Sequence, residues 1–294
     1  MMNLASGSLE YKIRIWDLNS GEHIRTLEGH TDSIFCLHLI DNNTLASGSN
    51  DNTIKFWNLN DWQCFKTFIG HSSSIICLKL VDKDSFVSGS DDNTIKIWNI
   101  ENGVCLRTLE GHIYSISSIQ LIDSKTLASG SCDSTIKIWN LISGECIRTL
   151  EGHKRQINHI EMIDSQTLAS GSDDKTIKFW KINNGECIST LKEQTSSIIC
   201  FQFLDNKTLA IGSDEEIIKI WNIESNELIK SLEGHSGPIL CLQQIDSNTL
   251  VSGSDDNTIK IWNLINGECV RTLETHNRTS TFCLQAFKLI LETV

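Results

Sequence analysis

The chain has 294 residues, 39% of them hydrophobic, with one proline, 18 glycines and a formal net charge of −12. That composition allows a substantial core and excludes a disordered or collagen-like chain. The acidic balance argues against nucleic acid and anionic membrane as partners, because both draw affinity from basic residues that release counterions.

In chain order, the start from Met1 to Gly7 has no basic region followed by an apolar run, so it does not read as a secretory signal. No stretch approaches the ~20 apolar residues of a membrane span. The expected address is intracellular, cytoplasmic or nuclear. Residues 3–29 read as the second, third and fourth strands of a repeating unit whose first strand is missing.

Six full units follow, at 30–70, 71–111, 112–152, 153–193, 194–234 and 235–275. Trp16, Trp57, Trp98, Trp139, Trp180, Trp221 and Trp262 mark a period of 41 without insertion or deletion, and only Trp62 is off phase. In the unit at 71, Gly70–Leu80 alternates like a strand and Asp82–Asp84 makes a turn. Phe86–Ser90 is a second strand, Asp91–Asn93 a tight turn and Thr94–Asn99 a third strand. Asn102-Gly103 is a hairpin signal before a fourth strand, Val104–Leu109. Four short strands per unit predict an all-β repeat, and radial stacking of such units buries both faces of each.

Individual units depart from the pattern. Trp62 occupies a hairpin turn where most units have Gly, and an aromatic there is expected to be exposed on the opposite face as a candidate partner contact, or else folded onto its own blade. Tyr114 lies in the loop before a first strand, and Lys154 and Arg155 lie in the next such loop, which makes Tyr114 and Arg155 further candidate partner contacts. In the unit at 194, Gln194, Ile211 and Glu215 stand where other units have His, Ser and Asp. At the C-terminus, His276 falls on the His phase and Thr279–Leu289 supplies a first-strand candidate. Joined to residues 1–29, the segment 276–294 is expected to complete a seventh blade, although 287–294 duplicate positions that residues 1–7 already fill.

The Gly-His, Ser-Gly-Ser-x-Asp and Thr-Ile-Lys-Ile-Trp-Asn phrases at this period resemble the WD-repeat (WD40) family across nearly the whole chain. That family's final Asp survives only as Asp17, with Asn or Lys181 elsewhere. The resemblance implies a seven-bladed β-propeller with four antiparallel strands per blade, closed by strands from both chain ends. It also implies a hydrogen-bonded chain of Trp, Ser, His and Asp within each blade. The sets are His30, Ser47, Asp51 and Trp57; His71, Ser88, Asp92 and Trp98; His112, Ser129, Asp133 and Trp139; His153, Ser170, Asp174 and Trp180; and His235, Ser252, Asp256 and Trp262. Ser6, Trp16 and His276 form a partial set. Ser, His and Asp are also the parts of an acyl-transfer triad. Five copies, each tied to a Trp, read as structural cement, because catalysis needs one set in one pocket. His23, His38 and His159 remain and are too scattered to suggest a metal site. No cofactor is expected.

The cysteines recur at two phases, with Cys36, Cys77, Cys200 and Cys241 at one and Cys64, Cys105, Cys146, Cys187 and Cys269 at another. They read as reduced core residues rather than a disulfide framework. Phe35, Ile76, Ile199 and Leu240 share one position after the His, and Asp91, Asp173, Asp214 and Asp255 precede the turn acid. Two readings stand for these residues. One is an apolar patch rimmed by acids, suited to a peptide with apolar anchors and basic flanks. The other is ordinary channel lining. The expected function is a non-catalytic interaction scaffold or adaptor, a monomeric propeller within a multiprotein complex. Two alternatives rest on resemblance: a ubiquitin-ligase substrate receptor, from the F-box-like phrasing, and the sensor propeller of an NTPase-type signalling protein. Enzymatic activity would require an off-period acid–base pair in the channel, and the sequence reveals none.

Overall fold

A computed structural model describes residues 2–192, 195–275 and 280–288. Among them, twenty-eight strands form seven four-stranded antiparallel sheets. Six sheets are continuous in sequence. In the remaining one, here called the first blade, Thr281–Lys288 lies innermost, followed by Met2–Ser8, Lys12–Asp17 and His23–Glu28.

Blade packing explains the regular spacing. Seven apolar clusters each join two neighbouring blades among the described residues. In one, Phe56 and Phe68 of the second blade meet Phe86 of the third at ring distances of 5.2 and 4.9 Å. The glycine of Ser-Gly-Ser permits this approach. A Cβ at Gly89 would lie 2.5 Å from Ile116 Cγ2 of the next blade and 2.7 Å from Cys77 Sγ. No side chain fits there without moving the adjacent blade.

The first strand of the unit at 71 runs Ile75–Leu80, shorter than the Gly70–Leu80 reading. The preceding loop turns so that His71 reaches inward, which the alternation of polar and apolar residues could not reveal. The inner strands carry a β-bulge near their start. Ile34 pairs with Ser49 and Cys36 with Gly48, which leaves Phe35 without a ladder partner. The same shift recurs in five further blades, and Thr281 and Cys283 repeat it in the first. A bulge re-aims one side chain. Here it turns one residue per blade toward the central channel.

Closure is by the C-terminal strand, which pairs with Met2–Ser8 over seven residues. Phe287 and Lys288 lie opposite Asn3 and Met2. They extend this strand instead of duplicating the N-terminal residues, and Phe287 is buried. His276 and residues 289–294 fall outside the described residues.

Trp62 is not exposed as an aromatic in a tight turn would be. It is half-buried and packs on the cluster between the first and second blades, with φ of 66°. The Gly at this turn position is replaced by a side chain whose apolar contact offsets the strain of left-handed backbone.

Candidate functional site

The Trp, Ser, His and Asp sets lie at the junction of the inner-strand loop and the second-to-third-strand turn. Trp98 Nε1 donates to Ser88 Oγ at 2.8 Å, and His71 Nε2 is 2.7 Å from the same oxygen. His71 Nδ1 lies 2.7 Å from Asp92 Oδ2. The sets of His30, His112 and His235 repeat these distances, and in the set of His153 the Asp174 contact is 2.9 Å. The aspartate also accepts from a threonine hydroxyl and a backbone N–H, as Asp92 does from Thr94 and Ser72. An ionised carboxylate can only accept, so the imidazole carries its proton on Nδ1 and its Nε2 accepts a hydrogen bond from the serine hydroxyl. Ser47, Ser88, Ser129, Ser170 and Ser252 are fully buried, and their hydroxyls are closed to any substrate.

Burial pushes the carboxyl groups of Asp51, Asp92, Asp133, Asp174 and Asp256 up, but hydrogen bonds from His, Thr and backbone N–H outweigh it and hold them below the usual range. A depressed folded pKa means that the unfolded chain binds more protons, so the stability is present above about pH 4 and lost as pH falls through the folded value. Each network then contributes a slope of up to about 1.4 kcal/mol per pH unit. Urea unfolding between pH 5 and 3 is expected to show the midpoint falling with little change in m, and Asp92→Asn is expected to flatten that slope.

The sixth blade lacks this chemistry. Trp221 Nε1 is buried without a hydrogen-bond partner among the described residues, and Ile211 fills the serine site with hydrocarbon. Glu215 turns instead to Lys219, 2.7 Å away, and to the Thr195 hydroxyl. Gln194 lies outside the described residues. An external ion pair replaces an internal network, and it is worth about 0–1 kcal/mol against roughly 1 kcal/mol for each lost hydrogen bond. Amides of Thr208–Ser213 are expected to exchange faster than those of Thr126–Ser131; equal protection would contradict this. The first blade resembles the sixth in part: Ser6 accepts from Trp16 at 2.9 Å, while Glu10 pairs with Arg14.

The bulged residues form the upper ring of the channel. Ile199, Leu240, Phe282, Phe35 and Ile76 come from five consecutive blades and form an apolar crescent, while Ser117 and Asn158 complete the ring as its polar side. Phe35 and Phe282 meet edge-to-face at 5.3 Å. These side chains wall a cavity of about 620 Å³. Phe282 escaped the sequence reading because the last strand runs one residue late. Of the four aspartates, only Asp173 and Asp214 line the cavity. Asp173 accepts from Asn158 and Asp255 from Ser280, while Asp91 is exposed on its turn. Tyr114 and Arg155 are exposed on loops outside it. Trp62 is remote, at the opposite end of its blade's third strand from the channel-face turn.

Three residues further along each inner strand lies a polar ring: His38, Lys79, Gln120, Glu161, Gln202, Gln243 and Gln285. It contains a cation and an acid, Lys79 and Glu161, at the same phase of the repeat and two blades apart, and Lys79 lies near both His38 and His159. Polar residues at this phase pass for the outward side of an alternating strand, so only closure of the ring brings them together. Burial and the nearby Lys79 ammonium push His38 and His159 down to about 4, and burial pushes Glu161 up to about 7. Glu161 accepts from Gln202 Nε2 at 2.7 Å and from the Phe203 N–H at 3.2 Å. No group of three or more His, Cys, Asp or Glu able to hold a metal occurs among the described residues, and no helix is long and apolar enough to cross a membrane.

Six segments, 21–58, 62–99, 103–140, 144–181, 185–222 and 226–263, match the family model described as "WD domain, G-beta repeat". Each match takes the outer strand of one blade with the three inner strands of the next. Mitochondrial division protein 1 of Malassezia globosa is 47% identical over 38 residues, which are 13% of this chain and 6% of that protein. That span has the length of one matched repeat.

Proposed function

The chain belongs to the WD40 repeat family, a protein-interaction fold, and from that premise we propose that it is a non-catalytic scaffold that holds a peptide segment of a partner at the mouth of its channel. The observation that carries this reading is the apolar crescent of Phe35, Ile76, Ile199, Leu240 and Phe282, beside Asp173 and Asp214. Apolar side chains turned out of the packed blades by a bulge lie outside the seven clusters that join the blades and stay partly exposed in the channel. They suit the desolvated centre of an interface, with the carboxylates as its polar rim. A partner with apolar anchors and basic flanks matches both parts. WD40 propellers are generally non-catalytic, and the buried serines of the His-containing networks support the same reading.

Fluorescence polarisation against a peptide library with apolar centres tests it. Basic-flanked members are expected to bind, and acidic-flanked members are not. Phe35→Ala and Ile199→Ala are expected to weaken binding by tenfold or more, as truncated interface anchors do. Asp214→Asn is expected to lower mainly the association rate and its salt dependence. Trp62→Ala should leave affinity unchanged, because Trp62 packs away from the channel. Equal binding of both peptide classes, or indifference to Phe35 and Ile199, would remove the basis of the reading.

A further inference from the structure

The polar ring contains a cation without a counterion in contact. Lys79 is half-buried in the channel wall and has no hydrogen bond or ion pair among the described residues. Glu161 stands two blades away, across the strand of Gln120; it attracts Lys79 only through space and directs its oxygens to Gln202 and Phe203. Lys79, Gln120, His159, Glu161 and Gln202 line a cavity of about 210 Å³, which shares His159 with the larger cavity above.

We propose that the channel binds a monocarboxylate on an apolar body, with Lys79 taking the carboxylate and the apolar crescent covering the body. Ile76 and Lys79 are three residues apart on one strand, which separates the two rings by roughly 10 Å. That distance suits a body of about four to six carbons. A single ammonium with no anion in contact is incompletely compensated in a partly desolvated site, and a charge-assisted contact from a ligand restores the balance. The surroundings also limit ligand charge. Asp173 and Asp214 flank the entrance and Glu161, which burial keeps partly protonated near neutral pH, faces the floor, so a phosphate or polyanion meets one cation and two carboxylates. A monoanion with apolar substance behind it meets the crescent.

Two sources carry this chemistry: a free small acid, or the C-terminal carboxylate of a peptide chain. The first does not depend on the peptide-binding reading. Calorimetric titration of the full chain with hexanoate and with hexanamide separates charge from apolar burial. Hexanoate is expected to bind at least tenfold more tightly, and Lys79→Met, which keeps the apolar stem, is expected to abolish the difference. If that variant does not fold, Lys79→Gln serves the same purpose, and Lys79→Arg is expected to retain the preference. A second arm compares the peptide acetyl-Lys-Lys-Gly-Leu-Leu as free acid and as C-terminal amide. A preference for the free acid that Lys79→Met removes supports a chain terminus, and a preference confined to hexanoate supports a free acid. Equal binding of acid and amide in both arms, absence of binding in both arms, or a preference that survives Lys79→Met and Lys79→Gln overturns the proposal.

Discussion

Removing residues 280–294 is expected to abolish the cooperative unfolding transition of the ring or lower its stability by about 5 kcal/mol or more. The strand Thr281–Lys288 supplies the innermost strand of the first blade and all seven ladder pairs on that side of Met2–Ser8. It also buries Phe287 and Cys283 against Ala5, Ile13 and Ile34. Burial of one large apolar side chain is worth roughly 1.5–3 kcal/mol, and the cluster contributes several such terms. A domain is stable by only about 5–15 kcal/mol in total. The deletion also exposes a paired strand as a free edge, which invites edge-to-edge association. Urea unfolding with sedimentation of the same samples checks both effects. Full-length stability in the truncated chain would mean that the blades hold together without closure. A milder version, Phe287→Ala, is expected to cost about 3–5 kcal/mol while keeping a single transition.

His112→Ala is expected to destabilise the protein by about 3 kcal/mol. His112 joins Asp133 and Ser129 across 2.7 Å contacts, and its side chain is fully buried. A hydrogen bond to a charged group contributes roughly 1.5–3 kcal/mol, and a buried donor left unpaired adds to the loss. Because the network acts as one unit, its losses are not additive. The triple change His112→Gln, Ser129→Ile and Asp133→Glu copies the residues of the sixth blade. It is expected to cost less than the sum of its three single changes. Additive costs by chemical denaturation would show that the groups act independently. The sixth blade argues for coupling: where Ile211 stands in place of the serine, Glu215 has left the histidine site for Lys219.

The channel adds a smaller pH effect with mixed sign. His38 and His159, depressed to about 4, lose stability for the fold as pH falls from 6.5 toward 4. Glu161, raised to about 7, favours the fold as pH falls over that range. Two losses against one gain leave a modest net decline before the aspartate networks titrate.

Most of the fold was legible along the chain because each unit repeats the same local physics. The period of 41, the turn residues and the alternation place the strands, and the resemblance to WD repeats implies the network of Trp, Ser, His and Asp in each blade. Its partners stand 10, 17 and 21 residues apart. Ring closure was legible for the same reason, since His276 falls on the phase that the N-terminal unit lacks.

What only the tertiary structure decided depends on ring geometry and on one-residue shifts. The bulge that turns Phe35 and its equivalents into the channel is a property of strand pairing, and the late register of the last strand hid Phe282. Trp62 packs inward because the neighbouring blade offers an apolar cluster, which its own hairpin does not encode. Lys79 and Glu161 are 82 residues apart, and in the linear sequence each is a polar residue on an alternating strand. Closure places both on the inner wall, where low water access makes their charges matter. Local spacing determines each blade, whereas the chemistry of the channel arises only between blades, where residues from separate repeats share one confined space.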